Sequence, residues 1–343
     1  MIKIAHIHVW DQLNKGDVGI VLAVQDILRN AFGNVEIVDL PVETLKKANK
    51  DIIELINSQD ILVIGGGGIF YRYFLPFDKK VIDSIKIPII IFGVGYIREV
   101  GSRKLYPEEK ESIVYLCRKA SLIGVRDYYT KNFLTANGLK KETVDVIGDP
   151  AVFLREDEPE NFKMGEALKI GLNLNYSGWL GFGRWQEEII FSYRRTAEWF
   201  IENYNAEIYY LLHHPGEKNI LHELRIPKMK IVDLPICEQK YVYRRLDLII
   251  GMMLHSCVIA FGAETPAVNI AYDIRNKSFA KFINSPELVV SLNKLKDDAL
   301  LERALSVFKN RDFYIKKFQN RKKKIEKKYQ KFIEKKKELI NQL

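Results

Sequence analysis

The stretch LIIGMMLHSCVIAFGAETPAVNIAYDIRNKSF, residues 248–279, decides the fold. A short apolar run ends at Gly251, a helix of small apolar residues starts at His255, a turn containing Pro266 follows, and AVNIA is apolar again. Strand, helix and strand in such close succession form the βαβ unit of a parallel sheet. In such a sheet, ligands bind beyond the carboxyl ends of the strands, so the residues that follow each strand carry the function. Here those residues are His255 after the first strand, and Tyr272, Asp273, Arg275 and Lys277 after the second. A histidine at a helix N-terminus has its protonated form disfavoured by the helix dipole.

The same alternation runs outward in both directions. Strands are expected at 2–9, 35–38, 61–64, 88–94, 121–125 and 144–147, with helices at 18–31, 107–118 and 128–136 between them. The acidic, proline-containing run REDEPENF at 155–162 has no period and reads as a linker. The pattern then restarts, with strands near 169–174, 207–212, 230–232, 246–250 and 267–271 and helices near 187–204 and 255–262. This gives an α/β chain of two Rossmann-like domains, 1–154 and 166–293, joined by 155–165 and facing each other across a cleft. Residues 294–343 read as one long basic amphipathic helix, in which Phe318, Ile325, Phe332 and Leu339 recur every seven residues beside Tyr329 and Leu343.

The formal net charge of +9 belongs to that tail. Residues 301–343 hold fifteen Lys and Arg against five Asp and Glu, and the rest of the chain sums to −1. A neutral body argues against a nucleic-acid-binding fold, which needs its basic patch on the surface that grips a groove. The tail fits a helix that packs its stripe on the body, or one that attaches to an anionic membrane surface. The three cysteines are odd in number and scattered, so neither a disulfide framework nor a zinc site is expected. No metal site is visible. No apolar run approaches the roughly 20 residues of a membrane span, and MIKIAHIHVW reads as a buried strand rather than a signal peptide. These features point to the cytoplasm, with the inner face of the membrane as a place of work.

Four further places follow predicted strands. In DQLNKGDVG, residues 11–19, Asn14, Gly16 and Asp17 make a tight turn and cap the next helix, forming a plain turn or a backbone-lined pocket. In GGGGIF, residues 65–70, Gly66, Gly67 and Gly68 offer amides to an anion or a flat ligand. The run lacks the Lys-Ser/Thr of a nucleoside-triphosphate loop and the dinucleotide spacing, so NAD and ATP are not supported. In GVRDYYTKNFL, residues 124–134, Arg126 closes a strand and Asp127 caps a helix, where the arginine either binds a ligand or pairs with a neighbouring carboxylate. In IGDPAVFL, residues 147–154, Asp149 precedes a proline as a turn residue.

NKGD, GGGG, GVRD, GDPAVFL, MLHS and TPAVNIAYDIRNK, in this order from Asn14 to Phe279, resemble the polysaccharide pyruvyltransferases. The resemblance implies two domains arranged as in the GT-B glycosyltransferases. It also implies transfer of a pyruvyl group from phosphoenolpyruvate, as co-substrate, to two hydroxyls of a sugar in a cell-surface polysaccharide or its precursor, giving a ketal and phosphate. No other cofactor is implied. His255 and the Leu254 backbone would meet the donor, Arg275 its carboxylate or phosphate, and Arg126 and Lys277 would add cations. Asp127 or Asp149 would serve as acid or base, and Tyr71 and Arg72 would meet the sugar.

The chain departs from the family at two places: Met253 stands where members commonly have Arg, and NLNYSGW at 173–179 lacks another arginine. His213, His214 or Arg98 would be the replacements. Two other readings share the fold. One is a nucleotide-sugar glycosyltransferase with Glu264 as its ribose carboxylate, and the other is a non-catalytic relative that keeps the fold.

Overall fold

In a computed structural model that describes residues 1–99, 102–175, 185–295 and 298–340, with side chains to 335 in the last helix, the chain forms two parallel six-stranded sheets. The first contains β1 (Ile2–His8), β2 (Val35–Pro41), β3 (Ile61–Phe70), β4 (Ile89–Tyr96), β5 (Leu122–Val125) and β6 (Val144–Val146), in the order 2-1-3-4-5-6. Its helices are α1 (Lys15–Phe32), α2 (Lys50–Asn57), α3 (Lys79–Ser84), α4 (Pro107–Lys119) and α5 (Tyr128–Ala136).

The second contains β7 (Lys169–Asn173), β8 (Glu207–Leu211), β9 (Lys230–Val232), β10 (Leu248–Gly251), β11 (Ala267–Ala271) and β12 (Val289–Ser291), in the order 12-11-10-7-8-9. Around it lie α6 (Gln186–Tyr204), α7 (Lys218–Leu224), α8 (Ile236–Arg244), α9 (Leu254–Gly262), α10 (Ile274–Phe282) and α11 (Ala299–Lys309). The strand β12 and several short helices have too few residues to show a period in the sequence. The central strands β3, β4, β10 and β11 are buried throughout, which explains their continuous apolar runs.

Strand order reverses between β1 and β3 in the first sheet and between β7 and β10 in the second. Such switch points leave a crevice at the carboxyl edge, and the two crevices open toward one cleft. Cross-domain bonds hold them there. Lys15 at the start of α1 donates to Asp233 (2.8 Å) and Gln239 (3.0 Å), and its backbone N–H to the His213 carbonyl (2.9 Å). Lys240, buried on α8, donates to the carbonyls of Val152 and Leu154. Its desolvation lowers the ammonium pKa to about 7.

The tail is not one helix from 294. It breaks at Asn310 between α11 and α12 (Arg311–Ile340). The first part of α12 packs Phe318 on Phe261 of the second domain. Farther along, Ile325, Tyr329 and Phe332 reach Gly148, Phe92, Phe153 and Gly124 of the first. All four residues are at most 3% exposed, so this apolar stripe is spent on the body and is not free to enter a membrane. The positions 339 and 343 of the stripe lie outside the described side chains. No described helix is long and apolar enough to cross a membrane.

Candidate active site

A cavity of about 200 Å³ lies where the two switch points face each other. From the first domain it receives Val9, Asp11, Asn14 and Asp17 after β1, Gly68 and Tyr71 at the end of β3, Ile97 after β4, and Arg126 after β5. From the second it receives Asn175 after β7, Met253, Leu254 and His255 after β10, and Tyr272 and Arg275 after β11.

Its centre is His255, on the first turn of α9. The imidazole lies against the first turn of α1, so close to Gly16 that a Cβ there would come 2.1 Å from Nδ1. The Asn14 side chain caps α1 by accepting from the Gly16 N–H (3.0 Å). His255 therefore sits beside two helix N-termini, and burial, followed by Arg126, His213 and Arg275, holds its pKa well below the ordinary value. It is neutral at pH 7. The ring's Nε2 lies 3.8 Å from Asp149 Oδ2, and Arg126 Nη1 lies 3.7 Å from the same oxygen. Both are ion-pair distances beyond a hydrogen bond. Asp149 is fully buried, and burial raises its pKa despite Arg126.

Asp17 holds the most perturbed carboxyl in the cavity wall. Desolvation, reinforced by Asp11, pushes its pKa up to about 7. A carboxylic acid that is half protonated near neutrality is suited to donate a proton.

Among the described residues, two cations line the cavity: Arg126 and Arg275. Arg275 is fixed by Asp273, which accepts from its Nε (2.5 Å), and its Nη2 donates to the Tyr272 hydroxyl (3.2 Å). Lys277, expected as a third, lies on the exposed side of α10 because the helical turn carries it away from the position of Arg275. Arg98 is exposed, and neither His213 nor His214 lines the cavity. His213 is fully buried with Nε2 against the Tyr243 hydroxyl (2.6 Å), and desolvation lowers its pKa to about 3.

Other sequence expectations are redistributed. Asp127 caps α5, its Oδ1 accepting from the Thr130 N–H (2.7 Å) and hydroxyl (2.9 Å), and it does not line the cavity. The glycine run is not a loop after β3 but its last turn of strand. Gly66 and Gly67 adopt φ of +79° and +76°, and a Cβ on Gly66 would strike Ile20 of α1 at 1.9 Å. They let β3 pass beneath α1, and only Gly68 lines the cavity. The Tyr71 hydroxyl donates to buried Glu99, which also pairs with Arg72 (3.2 Å), so Arg72 faces Glu99 rather than the cavity.

At the two departures, Met253 and Asn175 line the cavity. Asn173 acts behind it, its Oδ1 accepting from the Met253 N–H (3.1 Å), so it positions the turn that carries His255. The remainder of that segment, residues 176–179, lies outside the described residues. Glu264, the prospective ribose carboxylate, faces α12 instead, bonded to Gln319 (3.1 Å) and Lys322 (3.2 Å). Tyr272 lines the cavity as its place after β11 led one to expect, whereas Asp11 and Asn175 were not singled out from sequence, although each follows a strand end.

These features define a two-domain protein of the GT-B type with a cavity lined by two arginines at the domain junction. The polysaccharide pyruvyl transferase family model matches residues 14–274, and the chain belongs to that family. It is a transferase by that membership. No curated protein matches the sequence. Among solved structures, similar folds include the Neisseria meningitidis UDP-GlcNAc 2-epimerase bound to UDP-GlcNAc, with a TM-score of 0.61, 12% identity, 96% of this chain and 100% of that one covered. The Methanocaldococcus jannaschii UDP-GlcNAc 2-epimerase has a TM-score of 0.58 at 14% identity, covering 90% and 93%. Anabaena HepE, solved with UDP-glucose, has a TM-score of 0.58 at 12% identity, covering 100% of both chains. At such identities the likeness is one of fold.

Proposed function

We propose that the protein transfers the pyruvyl group of phosphoenolpyruvate to two hydroxyls of one sugar residue of a polysaccharide or its precursor, releasing phosphate. The observation that carries this reading is the pair Arg126 and Arg275, one from each domain, flanking His255 and Asp17 in a single small cavity.

The donor is a compact trianion, and two planar guanidiniums suit its carboxylate and phosphate. Asp17, protonated near neutrality, delivers a proton to the methylene carbon, which leaves an oxocarbenium-like centre at the neighbouring carbon. Neutral His255 accepts the proton of the first sugar hydroxyl as its oxygen bonds to that centre, while Asp149 steadies the imidazolium. The carbon–oxygen bond to phosphate then breaks, the phosphate leaving with its electron pair and a proton. The second hydroxyl closes the ketal and gives up its proton. One proton enters the methyl group, two leave the hydroxyls, and phosphate carries one away.

Calorimetric titration with phosphoenolpyruvate, with UDP as control, tests the donor. Saturable binding that disappears in His255→Ala supports the reading. Binding of UDP alone would replace it with nucleotide-sugar transfer.

A further inference from the structure

The sequence His6-Ile7-His8 ends β1, and alternation puts both histidines on one face. The parallel partner β2 sets Asp39 directly opposite His6. Asp39 Oδ1 lies 3.4 Å from His6 Nδ1 and 3.3 Å from His8 Nε2, and the three ligand atoms fall within 4.8 Å of one another.

The protons on these rings are fixed by their other contacts. His6 Nε2 bonds the Gly65 carbonyl (3.2 Å), and His8 Nδ1 bonds the Val9 carbonyl (2.9 Å). A carbonyl only accepts, so each of these nitrogens carries a proton, and in the neutral ring the lone pair of the other nitrogen turns toward Asp39. His6 is fully buried and His8 is 5% exposed, and neither inward-facing nitrogen has a hydrogen-bond partner. Gln25 donates to both oxygens of Asp39 (3.0 Å each) and holds the carboxylate in place. With both rings neutral, three acceptors converge, an arrangement that a cation resolves. Main-chain carbonyls binding the outer nitrogens are the usual second shell of metal-bound histidines.

We propose that His6, His8 and Asp39 form a divalent transition-metal site of two imidazoles and one carboxylate, with zinc the best fit. Zinc bonds of about 2.1 Å in a tetrahedron place neighbouring ligand atoms about 3.4 Å apart; the edges from Asp39 to His6 and His8 are 3.4 and 3.3 Å, and all three atoms lie within 4.8 Å of one another. His8 and Asp39 also line a cavity of about 480 Å³ with Trp10, Asp11 and Gln25, which gives the fourth position access to a water or a ligand oxygen. That cavity shares Val9 and Asp11 with the active-site wall. The set is not legible as a sequence motif because one ligand comes from a different strand.

The test is titration of the chelator-stripped full-length protein with zinc chloride by calorimetry, with cobalt(II) absorption as a second readout. One equivalent of tight binding and the visible bands of tetrahedral cobalt are expected. Both should weaken at least tenfold in Asp39→Asn and in His8→Gln, and persist in His222→Ala, which alters an exposed histidine. Thermal unfolding establishes that each variant is folded, and Asp39→Asn serves if His8→Gln is not. Wild-type protein that binds no metal, or binding unchanged in Asp39→Asn, would overturn the proposal.

Discussion

Gly16 and His255 meet across the domain junction, with the imidazole occupying the space where any other residue at 16 would place its Cβ. The helix start of one domain thereby shapes the seat of the principal residue of the other. Gly16→Ala should displace the ring by an ångström or more, a misplacement that costs on the order of 100-fold in turnover. The protein should remain folded, since the three atoms nearest the added methyl all belong to the His255 side chain at the edge of the cavity. Steady-state kinetics beside a thermal melt checks this, and wild-type turnover would show that the ring position is not critical.

As the acid of the proposed transfer, Asp17 predicts the direction of its pH dependence. With a folded pKa of about 7 against an ordinary 3.8, its acid form is present below neutrality and disappears above it. kcat/KM should therefore fall as pH rises through about 7, and in Asp17→Asn this limb should vanish together with most of the rate.

The same shift has a stability consequence. A raised folded pKa stabilises the fold fully below 3.8, and that stabilisation is lost as pH rises through about 7. Asp17→Asn should thus melt higher than wild type above neutrality, by about 2–4 °C for each kcal/mol recovered. Equal melting temperatures at pH 8.5 would show that Asp17 titrates normally.

Arg275 is better tested by Lys than by Ala. Removing the charge would strand buried Asp273, at a cost of about 3–5 kcal/mol in stability. Arg275→Lys keeps the charge and loses the two-pronged geometry. Its expected signature is a rise of about tenfold or more in the KM for phosphoenolpyruvate, the worth of one charge-assisted bond. An unchanged KM would remove Arg275 from the donor site.

Phe332 tests the strap function of α12. Its ring fits against Gly124, where a Cβ would come 2.8 Å from Cζ, and it is 2% exposed. Phe332→Ala should cost about 3–5 kcal/mol and loosen the closure of the first domain on the second, read by denaturant unfolding and by protease susceptibility.

Much of this was legible in the chain because parallel strands buried on both faces must be continuously apolar, and ligand residues must follow their carboxyl ends. That logic leads directly to His255, Arg126, Arg275 and Asp17. It also overreached. Lys277 follows β11 as Arg275 does, yet two further residues of helix turn it outward. The glycine run has the composition of an anion loop, but its work is clearance for α1. Asp127 and Asp149 look alike in sequence and each caps the helical turn that follows, but only Asp149 turns its second carboxylate oxygen toward His255, at 3.8 Å.

By itself, then, the sequence determined the α/β class of both halves, the apolar stripe along the tail and the family to which the chain belongs, because these rest on local periodicity and on short motifs in order. Only the tertiary structure decided which charges reach the cavity, that α12 lays its stripe on both domains, and that His6, His8 and Asp39 converge. Those outcomes depend on contacts between residues far apart in the chain, which the period of a single strand or helix does not encode.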